Sequence, residues 1–352
     1  MNNRAKTAQL GEGNTPLIRS EWIGRSLGLA NLFFKLENCN PSGSYKDRFV
    51  AAEVSQLLRM GAKGCLATSS GNAGSSLASY CARYGIPCSI VVNENAPAGK
   101  LEQMQAHGAH VFRVRGFITS PSVTAGVFET LSKLAPEKGL ALVVSAFRYC
   151  PEGMVGVESL AYELLQQVTP RIDHVFIPIG GGGLFSAVCF GFEHAGFKPR
   201  PKVHAVQPNG CSTVVATYER GDEEIRPVES TTQISGLSVP YDIDAGLALK
   251  LLRECGGTAF GVNDEEVYEA QQLMLSREGI YCEPAAATSL AGLMHALKQG
   301  VVGRQENIVC LVTGHGFKDP DSIRRAAARN TAVLIDLGEL QDAVLKNISS
   351  CA

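Results

Sequence analysis

Short runs of consecutive apolar residues alternate along this chain with longer stretches in which apolar residues recur every three or four positions. The runs read as strands covered on both faces, and the spaced stretches as helices packed on one side. Strands are predicted at Asn31–Glu37, Gly64–Ser69, Cys88–Asn93, His110–Arg115, Ala141–Ala146, His174–Ile179, Lys202–Gln207 and Asn307–Thr313. Helices are predicted at Lys46–Met60, Asn72–Tyr84, Gly99–His107, Glu152–Val168 and Pro284–Gln299. The first of these places Phe49, Val50, Val54, Leu57 and Leu58 on one face. Such alternation predicts an α/β architecture with a largely parallel sheet. The segment Gly210–Pro240, rich in Gly, Pro, Ser and Thr, predicts a long surface excursion near a site. No internal repeat or low-complexity tract interrupts the pattern.

Composition narrows the class. At 352 residues the chain can form one large domain or two ordinary ones with a buried core. A net charge of −2 gives no electrostatic footprint for nucleic acid or an anionic membrane. The 11 cysteines are odd in number, lie in apolar stretches and form no C-x-x-C pair, so no metal centre or redox dithiol is expected. The opening MNNRAKTAQLGEG lacks the apolar core of a signal peptide, and no apolar run is long enough to cross a bilayer. A reducing cytosol is the resulting expectation.

Chemistry is concentrated in four turns, each following a predicted strand. In open α/β sheets ligands bind beyond the carboxyl ends of strands, so these turns are expected to converge. In Asn40-Pro-Ser-Gly-Ser-Tyr-Lys-Asp-Arg48, Lys46 opens a helix. Helix N-termini disfavour cations, which biases an amine there toward its neutral, nucleophilic form; the competing reading is a solvated lysine paired with Asp47. In Thr68-Ser-Ser-Gly-Asn-Ala-Gly74, helix-start N–H groups make an anion cradle. Asn72 there is suited to a ring hydroxyl, and Ser69 and Ser70 to a carboxylate; an N-capping turn is the alternative. Gly180, Gly181, Gly182 and Gly183 follow the strand HVFIPI, where bare backbone favours phosphate, although neither the Walker nor the full dinucleotide pattern is met. In Leu311-Val-Thr-Gly-His-Gly-Phe-Lys-Asp319, Thr313 ends a buried strand and offers an uncharged hydroxyl to a heterocyclic nitrogen, or simply forms a tight turn.

Taken in order, these turns resemble those of the fold-type II pyridoxal-phosphate enzymes, whose two-domain fold is that of tryptophan synthase β. The resemblance runs from Glu12-Gly-Asn-Thr-Pro-Leu17 to Asp319-Pro320, and within the group it is strongest to the threonine synthases. PSGSYKDR, SSGNAG, Glu283–Gly292 (EPAAATSLAG) and TGHGFKDP carry it. The resemblance implies pyridoxal 5'-phosphate as cofactor, with Lys46 as Schiff-base residue and proton shuttle. It implies Asn72 at the ring hydroxyl, Gly180 to Gly183 on the cofactor phosphate, and Thr313 at the pyridine nitrogen. On the substrate side it points to Ser44, Ser69, Ser70 and Arg148. It further implies a smaller domain over 48–145, a larger one from 1–47 plus 146–352, the cofactor between them, and a homodimer.

The implied activity is a lyase of amino-acid biosynthesis, releasing phosphate from O-phosphohomoserine and adding water to give threonine. Three departures lie on the substrate side. The glycine turn is closer to that of serine/threonine dehydratases. Arg148 is displaced relative to the Glu152-Gly153 pair that follows the family's phosphate-gripping arginine. Thr232–Ser238 replaces the usual ATAI-x-IG stretch. The first two favour a second reading, β-replacement on an O-phosphoserine-like donor, as in cysteate synthase, or serine/threonine dehydration. A third, a non-catalytic α/β nucleotide-binding module, is opposed by Lys46 in its motif.

Overall fold

A computed structural model describes residues 7–350 apart from Ser70, Pro97, Phe197 and Thr331. Among the described residues ten strands form two sheets. They are β1 (Leu17–Arg19), β2 (Asn31–Lys35), β3 (Cys65–Ala67), β4 (Cys88–Asn93), β5 (His110–Val114), β6 (Ala141–Val143), β7 (His174–Pro178), β8 (Lys202–Pro208), β9 (Ala259–Val262) and β10 (Asn307–Leu311). The larger sheet has the order β1-β2-β10-β7-β8-β9 and the smaller β5-β4-β3-β6. Every pairing is parallel except β1 with β2, as the alternating pattern requires.

The central strands match their apolar runs. All five residues of β7 are buried, between β10 and β8. At β5 the expectation of two covered faces fails: none of its residues is buried, and Phe112 is 53% exposed. It is the edge of the smaller sheet, where one side has no partner strand. The surface excursion predicted over Gly210–Pro240 also contains a helix, Val214–Arg220.

Two helices that begin with site residues run Lys46–Met60 and Asn72–Tyr84. Each ends at a glycine with positive φ, Gly61 at 66° and Gly85 at 64°, which releases the chain into the next strand. Three thiols the sequence kept apart, Cys65, Cys81 and Cys88, meet in the core of the smaller sheet with sulfurs within 4.8 Å of one another. Parallel pairing sets Cys65 beside Cys88, and the helix above supplies Cys81. No helix among the described residues is long and apolar enough to cross a membrane.

Candidate active site

All four turns lie at carboxyl ends of strands. Lys46 follows β2, the Ser69–Asn72 turn follows β3, Gly180–Gly183 follow β7, and Thr313 follows β10. Backbone bonds stitch the first and last together. Tyr45 N donates to Thr313 O at 3.1 Å, and Ser44 forms an antiparallel bridge with Gly314. The two are neighbours because β2 and β10 are paired.

Lys46 is half-buried, and its Nζ donates to Ser145 Oγ at 2.7 Å. The ammonium also lies 4.7 Å from the centre of the Tyr45 ring. Asp47 is not its partner. That carboxylate is fully buried and accepts from the backbone N–H and hydroxyl of Ser42 and from the hydroxyl of Ser76. Burial pushes its carboxyl up, against the pull of those hydrogen bonds. Asp47 therefore anchors the loop, which leaves Lys46 to face Ser145.

The glycine turn is sterically determined at Gly182. Its φ is +100°, and a Cβ there would stand 2.4 Å from Asp244 O. At Gly183 a Cβ would stand 2.9 Å from Met154 Cε. Asp244 N donates to Gly181 O at 2.9 Å, while the Asp244 carboxylate accepts from Phe147 N at 2.8 Å and Arg148 N at 3.2 Å. This residue fastens the segment after β6 to the turn after β7. Arg148 thus joins the site through its backbone; its side chain is exposed, with the guanidinium 6.0 Å from the Tyr149 ring centre.

In the turn after β3, Ser69 Oγ accepts from Gly71 N at 3.3 Å, and Ser70 lies outside the described residues. A Cβ on Gly74 would meet Ser69 O at 2.3 Å, so this glycine lets the helix start close under the turn. Asn72 Nδ2 donates to Glu283 Oε1 at 2.5 Å. Its Oδ1 and the hydroxyl of Ser44 are buried without a hydrogen-bond partner. Buried polar atoms without partners are uncommon, and a bound ligand is one thing that satisfies them. Thr313 is 5% exposed. Sequence reasoning missed Ser145, Asp244, Lys100, whose Nζ lies 3.5 Å from Glu283 Oε2, and the working contact of Glu283. Only Glu283 carried a signal, because an acid before Pro284 at a helix start is an N-cap pattern.

A family model described as "Pyridoxal-phosphate dependent enzyme" matches residues 8–314. The chain belongs to the pyridoxal-phosphate-dependent enzyme family. Threonine synthase of Methanocaldococcus jannaschii is 34% identical over 96% of this chain and 83% of its own length. Threonine synthase of Methanosarcina acetivorans is 32% identical over 95% and 82%. Among solved structures, maize serine racemase superposes with a TM-score of 0.73 at 25% identity, covering 96% of this chain and 93% of its own. Processed threonine deaminase isoform 2 of Solanum lycopersicum gives 0.74 at 21%, covering 90% and 88%, a likeness of fold.

This enzyme's cofactor is pyridoxal 5'-phosphate, and the residues present fit it. The glycine turn leaves backbone bare at the start of helix Gly183–His194, which suits a phosphate. The partnerless Asn72 Oδ1 and Ser44 Oγ suit polar groups of a ring or its substrate. Gly182→Ala should weaken cofactor binding about tenfold to a hundredfold, because left-handed strain and the clash with Asp244 O add roughly 1–3 kcal/mol. Fluorescence titration of cofactor into the stripped variant measures it, and an unchanged Kd would separate the turn from the phosphate.

Proposed function

We propose that this enzyme is a threonine synthase-like lyase acting on O-phosphohomoserine, with loss of phosphate at the γ carbon and addition of water at the β carbon. The observation that supports it is identity of 34% over 96% of the chain to a threonine synthase, with PSGSYKDR and TGHGFKDP both at the site. In this reading Lys46 holds the cofactor, and its amine, once released, takes the proton from the substrate Cα. Ser145 keeps that amine oriented in the meantime. Asn72 meets the ring hydroxyl, Gly180–Gly183 the cofactor phosphate, and Thr313 the ring nitrogen. Ser44, Ser69 and Ser70 receive the substrate's carboxylate. The cofactor, when bound, supplies the electron sink that stabilises negative charge at Cα. Thr313 is uncharged, so it leaves the ring nitrogen neutral and the sink weaker, which suits elimination over transamination. The lobe 48–145 would close over the cofactor from one side, in a cytosolic homodimer; a monomeric mass for the holoenzyme would remove the dimer.

Arg148 is the proposed grip on the substrate phosphate. A guanidinium holds phosphate through a two-pronged fork that an ammonium cannot reproduce. Arg148→Lys should therefore lower kcat/KM for O-phosphohomoserine at least tenfold, since each charged hydrogen bond contributes about 1.5–3 kcal/mol. Cofactor absorbance should not change. Unchanged kinetics would sink the assignment. The exposed position of this side chain favours the second reading, β-replacement on O-phosphoserine-like donors or dehydration of serine or threonine. A screen following phosphate and ammonia release together decides. Turnover of O-phosphohomoserine with phosphate release supports the first reading, and its absence in the wild type moves the assignment to the second.

A further inference from the structure

Glu283 stands where three parts of the site meet. Its backbone N–H donates to Gly314 O at 3.0 Å, in the turn that carries Thr313 and is bridged to Ser44. Its Oε1 accepts from Asn72 Nδ2 at 2.5 Å, and its Oε2 lies 3.5 Å from Lys100 Nζ. The two side chains are 2% and 1% exposed. Lys100 is fixed in turn by Ser235, whose Oγ accepts at 3.0 Å. Gly314 gives way to this carboxylate, since a Cβ there would stand 2.1 Å from Oε1.

The position is unusual for what it omits. Glu283 is the N-cap residue of helix Pro284–Lys298, where an acid normally accepts from its own helix's first N–H groups; here no such side-chain bond forms. The carboxylate is turned instead onto Asn72 and Lys100. A carboxylate only accepts, so the amide must present its NH2 to it. The amide's orientation is thereby fixed, and Oδ1 is left buried without a partner.

We propose that Glu283 is a positioning residue for the cofactor ring: held by Lys100, it orients the Asn72 amide and sets one negative charge beside the ring hydroxyl. This rests on the assignment of Asn72 to that hydroxyl. Other charges reach the same carboxylate. Lys318, His315 and Cys282 each feel Glu283, and Asp47 answers Lys318 from the Lys46 helix. Lys318 is brought down to about 8 by burial, against the pull of Glu283 and Asp47. Its nitrogen is held by Gln103 Oε1 at 2.6 Å.

The readout is the pH midpoint at which the bound cofactor's visible absorbance titrates, measured in the holoenzyme without substrate. Glu283→Gln keeps an acceptor for Asn72 but removes the charge. With the anion gone, the less protonated form of the cofactor is favoured, and the midpoint should fall by about one pH unit. Lys100→Gln removes the opposing cation and should raise it by a similar amount. Opposite shifts from the two partners are a signature that loss of structure alone does not produce. Lys318→Met is made as background for both, because Lys318 also interacts with the Glu283 carboxylate. An unmoved Glu283→Gln midpoint, or shifts of one sign in both variants, would overturn the proposal. So would loss of cofactor from both. Asn72→Ala separates the layers. If it too leaves the midpoint unmoved, the Asn72 assignment is what fails; if it moves the midpoint and Glu283→Gln does not, the fault lies with Glu283.

Discussion

Lys46→Ala is expected to abolish turnover, with kcat falling by about 10^4-fold or more, the upper end of what a positioned general base contributes. The same side chain is assigned the covalent hold on the cofactor, so both roles vanish together. Borohydride reduction of the wild-type holoenzyme should fix the cofactor on Lys46, located by peptide mapping. In the alanine variant it should fix none, although the glycine turn can still bind cofactor noncovalently. Lys46→Arg keeps the cation at the helix start and should be equally inactive, which separates chemistry from local electrostatics. The geometry behind this is the bond to Ser145 and the engagement of Asp47 elsewhere. Among the described residues three other lysines are buried, Lys35, Lys100 and Lys318, and a label found on any of them would remove the assignment.

The carriers of the site were legible wherever one local signal sufficed. The helix Lys46–Met60 follows from its apolar spacing and from Gly61, and Asn72–Tyr84 likewise from Gly85. Their first residues are site residues because β-to-helix turns at strand carboxyl ends make sites. Edge strands were harder to read: β5 has strand-forming residues, but which strand lies outermost is set by pairing order, which spacing does not encode. The helix Asp264–Glu278 was overlooked despite a capping box of Asn263 and Glu266 written in the sequence. Contacts between distant segments were out of reach altogether. Ser145 meets Lys46 across 99 positions, and Asn72 meets Glu283 across 211. The polar residues that tune the site come from such pairs, so the sequence reveals who carries the chemistry before it reveals who positions the carriers.

The second large effect concerns the support beneath Lys46. Arg48, 3% exposed, holds Glu37 through two bonds of 2.7 Å and Glu163 through bonds of 2.6 and 2.8 Å. Lys35 Nζ donates to Glu163 at 2.5 Å and to Thr15 O at 2.8 Å. Two cations thus balance two carboxylates, and Glu37 is wholly buried. Arg48→Met removes one cation and leaves a negative charge without compensation in the interior, which costs about 3–5 kcal/mol. Urea unfolding at neutral pH should show it, and a variant within 0.5 kcal/mol (the scatter of surface substitutions) would mean the cluster relaxes into water. Acid gives an independent check. Burial alone would push the Glu163 carboxyl up, but the bonds from Arg48 and Lys35 outweigh it and hold it at about 2, below its ordinary 4.5. A group whose folded value is depressed stabilises the fold above its unfolded value, so this contribution is present above about pH 4.5 and lost as pH falls toward 2. Solvent at the partly open Glu163 carboxylate screens the interaction, so the loss in the wild type should be at most about 3 kcal/mol. Without Arg48 the Glu163 carboxyl loses two of its four hydrogen bonds, keeping those from Lys35 and Asn14 N, and titrates nearer its ordinary value. The variant should therefore lose less between pH 5 and pH 2 than the wild type does, on top of its lower stability at neutral pH. Equal acid losses in the two proteins would show that Arg48 is not what holds Glu163 ionised.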